Sequence, residues 1–239
     1  MSLLDKSTVL REMLQSGTAL DDQGVPHELH SHIPARFAEA LYRTVMARRP
    51  PLVIEVGMAM GCSTLAVLTA LEEIGEQGRL ISIDPYQPAY KNCGLAAVRR
   101  AGLAARHTHI AEPDFLALPR LLAEGTRVDL AYIDGNHTFD FALLDFWYLD
   151  RMSPVGAVVA FNDCAMPAVH KVIKFLLTHR RYDEIDVGLG SSYVGYTGVR
   201  RIVRRLTRAN PQTFYRNFSD RYFEKKDNWE PKWDFFAAF

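Results

Sequence analysis

Nowhere in this sequence do some 18 apolar residues follow one another, about the length needed to cross a bilayer. The opening Met1-Ser2-Leu3-Leu4-Asp5-Lys6 also lacks the basic start and apolar run of a signal peptide, so the chain reads as soluble. Cysteine is scarce: Cys62, Cys93 and Cys164 show no CxxC and no paired spacing. That excludes a disulfide framework and a zinc knuckle, and fits a reducing cytoplasm. Neither sign of charge is in excess; with 28 basic against 28 acidic residues, no overall field draws in nucleic acid or an anionic membrane. Internal repeats and low-complexity segments are missing as well. What is present is 239 residues of 48% hydrophobic content, enough for one α/β domain with a large core and short terminal additions.

The stretch Val53-Ile54-Glu55-Val56-Gly57-Met58-Ala59-Met60-Gly61-Cys62-Ser63-Thr64-Leu65 organises the rest. It is a short apolar run, then a turn with glycines four apart, then residues that open a helix: a buried parallel strand feeding a ligand loop. Gly57 supplies positive φ where the strand breaks, and Gly61 leaves room beside the first helical turn. A dinucleotide fingerprint would need glycine at 57, 59 and 62, where this chain has Gly57, Ala59 and Cys62. Glu55, at the strand's end, suits a ligand with a positive centre.

Strand and helix patterns alternate through residue 179, which predicts a doubly wound α/β sheet with ligands beyond the strands' carboxyl ends. Helices are expected at 3–16, at 34–48 with Ser31 as its cap, at 63–74 and at 88–101. Further helices are expected at 138–150, burying Phe141, Leu144 and Tyr148, and at 165–179. The strand at 78–84 ends in Asp84, spaced to accept ribose hydroxyls, although a turn aspartate before Pro85 would look the same. The strand at 106–110 is followed by Glu112 and Asp114, which suit a helix N-terminus. The apolar run from Val128 exits into Asp134-Gly135-Asn136-His137, and that from Pro154 into Asn162-Asp163. His27, His30 and His32 are spaced too irregularly to share one helical face as metal ligands. Two strands at about 182–188 and 194–203 would finish the sheet. Arg200, Arg201, Arg204, Arg205 and Arg208 form the one basic concentration, read as a solvated face.

Together, the glycine loop, Asp84 and Tyr-Ile-Asp-Gly-x-His resemble the class I S-adenosylmethionine-dependent methyltransferases. Within them they resemble the small-molecule and sugar O-methyltransferases with Asp-Gly-x-His after strand four. The resemblance implies a Rossmann-like seven-stranded sheet, mostly parallel with a C-terminal antiparallel hairpin. It implies S-adenosylmethionine held by Glu55, Gly57, Gly61, Ser63, Asp84 and Asp134, and a hydroxyl acceptor on a small molecule or sugar. His137 would be the base, with Asp134 beside it. Asp134, Asn162 and Asp163 would offer hard oxygens to Mg²⁺, with Asn162 departing from the usual aspartate. The domain would span 33–205, after a lead-in or cap at 1–32. An aromatic-rich tail at 206–239 would pack on it or on a second subunit. The rivals are a nicotinamide-dependent oxidoreductase, disfavoured by Ala59 and Cys62, and a non-catalytic cofactor-binding or interaction protein using the tail.

Overall fold

The computed structural model describes residues 2–75, 77–189 and 220–239. The N-terminal cap is two helices, Leu3–Lys6 (α1) and Thr8–Ser16 (α2), rather than one, followed by a small antiparallel pair, Thr18–Leu20 (β1) with Pro26–Glu28 (β2). Ala35–Arg48 (α3) leads into Leu52–Val56 (β3), whose Val53 to Val56 are all buried. A strand covered on both faces needs no polar alternation, which is why this run is apolar apart from Glu55. Cys62–Ile74 (α4) starts at Gly61 and stops at Gly75, both left-handed, and is buried at every position from Cys62 to Leu71. A helix apolar all round belongs inside, and this one lies between the sheet and the N-terminal elements.

Arg79–Ile83 (β4), Cys93–Arg100 (α5), His107–Ile110 (β5), Asp114–Ala123 (α6) and Leu130–Ile133 (β6) continue the alternation. Phe139–Met152 (α7), Val158–Phe161 (β7), Pro167–His179 (α8), Arg181–Ile185 (β8) and Arg221–Asp227 (β9) complete the described elements. The sheet runs β5-β4-β3-β6-β7-β9-β8; β5 through β7 are parallel, and β9 is antiparallel to both its neighbours. Chain order reverses between β3 and β6, so their exits flank the crevice where doubly wound sheets take ligands. One core, with α3, α4 and α5, covers one face; α6, α7 and α8 cover the other. No helix among the described residues is long and apolar enough to cross a membrane.

Several expectations need correcting. The helix at 88–101 begins only at Cys93, because Asp84 to Asn92 are spent on turns. The helix at 34–48 is entered through Pro34, not capped by Ser31, which is itself left-handed at φ 48° and bonded to His30. In α7 the buried face is Ala142, Phe146 and Leu149; Phe141, Leu144 and Tyr148 are only half-buried along its flank. The strand expected at 182–188 is present as β8, whereas 194–203 and the arginine run lie outside the described residues. The strand pairing with β8 is β9, from the segment expected to pack as a tail: Tyr222 and Phe223 are fully buried between β7 and β8.

What keeps β9 in the sheet is a buried ionic knot as well as apolar packing. Lys225 Nζ reaches Asp150 Oδ1 at 3.0 Å, Arg180 Nε donates to Asp150 Oδ2 at 2.8 Å, and the Tyr182 hydroxyl donates to Oδ1 at 2.8 Å. One carboxylate on α7 thereby neutralises two cations near β8 and β9. Removing one partner of such a set strands the others as buried charges. We expect Asp150→Ala to lower stability in urea denaturation by about 3–5 kcal/mol. A loss under about 1 kcal/mol would show that the knot is a solvated surface pair instead.

Candidate active site

The site is assembled from five chain crossings at the carboxyl edge of the sheet. Gly57 leaves β3 at φ 87°, and a Cβ there would lie 2.2 Å from the main-chain oxygen of Asp134. Only glycine lets the exits of β3 and β6 come that close. Gly61 is similarly set against Gly94, where a Cβ would come within 3.0 Å of the Gly94 Cα. The loop between the two glycines is tied to β4: Asp84 Oδ2 accepts from the N–H of Met58 (3.2 Å), the N–H of Ala59 (2.8 Å) and Gln87 Nε2 (2.9 Å). Its Oδ1 accepts from the Tyr86 N–H at 2.7 Å. In this structure Asp84 is the anchor of the glycine loop, with only Oδ1 left for a further donor.

Glu55 lies beneath that loop, fully buried. Its Oε2 accepts from Thr64 Oγ1 and Ser82 Oγ, both at 2.7 Å, while Oε1 has no hydrogen-bond partner in the protein. Burial pushes its pKa up to about 7, against the pull of Ser63, Ser82 and Thr64 and with a push from the Asp134 charge. Ser63 is buried in the first turn of α4. Asp134, at the β6 exit, is raised to about 6, again by burial first; His137 lowers it and Asp163 adds repulsion. His137 Nε2 stands 3.6 Å from Asp134 Oδ1 and 3.8 Å from Asp163 Oδ2, too far for hydrogen bonds but close enough for charge to act. Burial works against charging the ring, yet the two carboxylates outweigh it and hold the His137 pKa above its usual value.

Asn162 faces another residue altogether. Its Nδ2 donates to Asp220 Oδ1 at 2.8 Å, and the Tyr132 hydroxyl donates to Asp220 Oδ2 at 2.7 Å. Asp220 is buried and pushed up to about 7, by its burial and by the charges of Asp134 and Asp163. Sequence reasoning missed it, because it lies 58 positions beyond Asn162 and reaches the site only through the β7–β9 pairing. The apolar pattern of Tyr222 and Phe223 just after it was the available signal.

Among the described residues, no group of three or more His, Cys, Asp or Glu side chains is placed to hold a metal ion. Asp134 and Asp163 flank His137 at the β6 and β7 exits, and Asn162 gives its amide N–H to Asp220, which leaves its oxygen as the ligand atom of the expected set. His27 bonds Asp21 at 2.8 Å and His30 packs on Tyr90, so the N-terminal histidines do not cluster. Glu112 pairs with Arg120, and Asp114 abuts the buried Asp145 of α7. A cavity of about 650 Å³ at the far end of α4 is remote from these strand exits, and its Lys6–Glu73 and Arg100–Glu12 pairs are internally matched.

Residues 54–164 match the model of a methyltransferase domain. The matched segment runs from within β3 to just past β7 and holds Glu55, Asp84, Asp134, His137, Asn162 and Asp163, but not Asp220. Over 118 residues the chain is 36% identical to a caffeoyl-CoA O-methyltransferase of Stellaria longipes. That covers 48% of this chain and 46% of the relative, so the chain spans about half the length of the curated relative it matches. The O-methyltransferase TomG of Streptomyces achromogenes, involved in tomaymycin synthesis and solved with SAM, superposes with a TM-score of 0.62 at 16% identity. There the match covers 94% of this chain and 89% of TomG. Cofactor-bound Rv0187 from MTB gives 0.64 at 17% identity, covering 92% and 89%. At such identities the structural likeness establishes the fold alone.

Burial of Glu55 has a measurable consequence. Its pKa in the fold, about 7, lies above the ordinary 4.5, so the folded state binds the extra proton and stability falls as pH rises from about 4.5 to about 7. Glu55→Gln should flatten that part of the stability profile by roughly 3 kcal/mol in urea titrations. Parallel profiles for parent and variant would mean that Glu55 is solvated.

Proposed function

We propose that the chain is an S-adenosylmethionine-dependent O-methyltransferase acting on a hydroxyl of a small molecule or sugar. The observation that carries this reading is the unpartnered Glu55 Oε1, buried beside Asp134 under the glycine loop. Two acids forced toward neutrality by burial suit a ligand bearing positive charge, which would restore their ionised forms. The sulfonium and amino groups of S-adenosylmethionine fit that demand better than the pyrophosphate of a nicotinamide cofactor, for which the loop lacks glycines at 59 and 62. TomG, of the same fold, is solved with SAM, and the relative from Stellaria longipes is named an O-methyltransferase.

When bound, the cofactor supplies an electrophilic methyl group. Ser63 and Asp134 would hold its amino-acid end, and Asp84 Oδ1 has one acceptor position left for a ribose hydroxyl. His137, partly exposed as a side chain and with its buried Nε2 lacking a hydrogen-bond partner, would take the acceptor's hydroxyl proton as the oxygen becomes nucleophilic. Asp134 and Asp163 then stabilise the imidazolium. Their pull also means that the ring loses its proton only above its usual 6.5, so turnover should climb with pH past that value. Asp134, Asp163 and the Asn162 oxygen are the hard oxygens that would hold an Mg²⁺, which would lower the acceptor's pKa when bound.

The first experiment is calorimetric: the protein should bind S-adenosylhomocysteine and ignore NAD, and micromolar NAD affinity would overturn the class. With an acceptor found by screening hydroxylated small molecules, His137→Ala should keep cofactor affinity and lose about 10²–10⁴ in turnover. A matching loss of binding would make His137 structural. EDTA treatment decides the metal: a rate lost and recovered on adding Mg²⁺ makes Asp134, Asn162 and Asp163 its ligands, and an unchanged rate leaves His137 as the sole activator.

The C-terminal stretch also suits a second copy of the chain, since Trp233 is 97% exposed beside exposed Phe235 and Phe236. Light scattering should then report a dimer for the parent and a monomer for the Trp233→Ser, Phe236→Ser double variant. A monomeric parent removes the idea.

A further inference from the structure

Ala59 sits at φ 45°, a left-handed conformation that a residue with a Cβ adopts reluctantly. Its peptide groups are gripped from both sides. The N–H donates to Asp84 Oδ2 at 2.8 Å, and the carbonyl accepts from Gln87 Nε2 at 2.6 Å. Gln87 in turn donates its second N–H to the same Asp84 oxygen at 2.9 Å, closing a ring of hydrogen bonds around one loop residue. The Gln87 side chain is 1% exposed, and its Oε1 has no partner. Its amide gives both donors to the clasp and leaves a buried acceptor; flipped, its oxygen would face two acceptors instead, the Ala59 oxygen and Asp84 Oδ2. Gly94 completes the fit: a Cβ there would come 2.7 Å from the Ala59 oxygen and 3.1 Å from Gln87 Oε1.

We propose that Gln87 is a positioning residue for the cofactor, holding Ala59 left-handed so that the backbone from Met58 to Gly61 is set before the ligand arrives. The proposal rests on the reading of this loop as the S-adenosylmethionine site. Gln87 touches the loop and its anchor and acts through them. Without its two donors, Asp84 still takes the Ala59 N–H, but the Ala59 carbonyl loses the hydrogen bond that restrains it, and the strained φ relaxes. The ligand must then reorder the loop as it binds, which lowers its affinity.

The test uses S-adenosylhomocysteine as the probe, in calorimetry on the full chain. Gln87→Ala should weaken binding by roughly tenfold, the scale of two lost hydrogen bonds in a partly compensated site. Gln87→Met, which fills the same space without donors, should do the same and guards against a variant that fails to fold. Adding Ala59→Gly to either should return most of the affinity, since glycine takes positive φ without strain. In the ligand-free protein, amide hydrogen exchange at 57–61 should speed up in Gln87→Ala. Affinity within twofold of the parent in both Gln87 variants, or a loss that Ala59→Gly does not return, overturns the proposal. If the parent itself does not bind S-adenosylhomocysteine, the cofactor reading fails. Unchanged exchange at 57–61 then sinks the clasp on its own.

Discussion

The approach of Gly57 to the main chain of Asp134 is the contact on which the rest of the site depends. A Cβ at 57 would stand 2.2 Å from a carbonyl oxygen, so any side chain there would push the exits of β3 and β6 apart. These are the two strands between which chain order reverses, and their separation sets the width of the ligand crevice. With the exits together, the turn after β3 is thrown toward β4, where Asp84 collects its N–H groups. The β6 exit is left to present Asp134 and His137 beside Asp163 from β7.

That closeness concentrates acid where water is scarce. Glu55, Asp134 and Asp220 come from three strands or strand ends, and burial pushes each well above the usual carboxylate range. Each proton thus retained lowers the repulsion among them, so the ligand-free edge can hold several acids without flying apart. The same protons would leave when a cation enters, which couples cofactor binding to proton release on the proposed reading. His137 sits at the outer rim of this group, where the remaining negative charge favours its protonated form.

The last strand closes the structure from a distance. β9 lies between β7 and β8, carries Lys225 into the Asp150 knot, and is preceded by Asp220, which locks Asn162 and Tyr132. One segment therefore seals the antiparallel end of the sheet and shapes the floor of the site. Stability and site geometry are linked through it, because β9 cannot leave the sheet without releasing Asn162.

Local pattern was enough to reveal the alternating α/β order, the glycine turn after Val56 and the polar exits at Asp84, Asp134, His137 and Asp163, because a buried strand and its loop are encoded within about ten neighbouring residues. It also marked Glu55, but as a residue at a strand end, whereas burial beneath the loop comes from α4 folding back over β3. What depends on residues far apart in the chain was not legible. Asp84 became the anchor of the glycine loop through donors 25 and 26 positions earlier. Asn162 gave its amide N–H to Asp220, and the aromatic tail supplied a sheet strand as well as side chains packed on α8. Sequence alone thus determined the sheet class and which edge of it gathers the polar strand exits, since both follow from short-range periodicity. Only the tertiary structure decided which acids stay buried, which oxygens converge and what each carboxylate holds, because desolvation and hydrogen-bond choice depend on neighbours that the chain brings together only when it is folded.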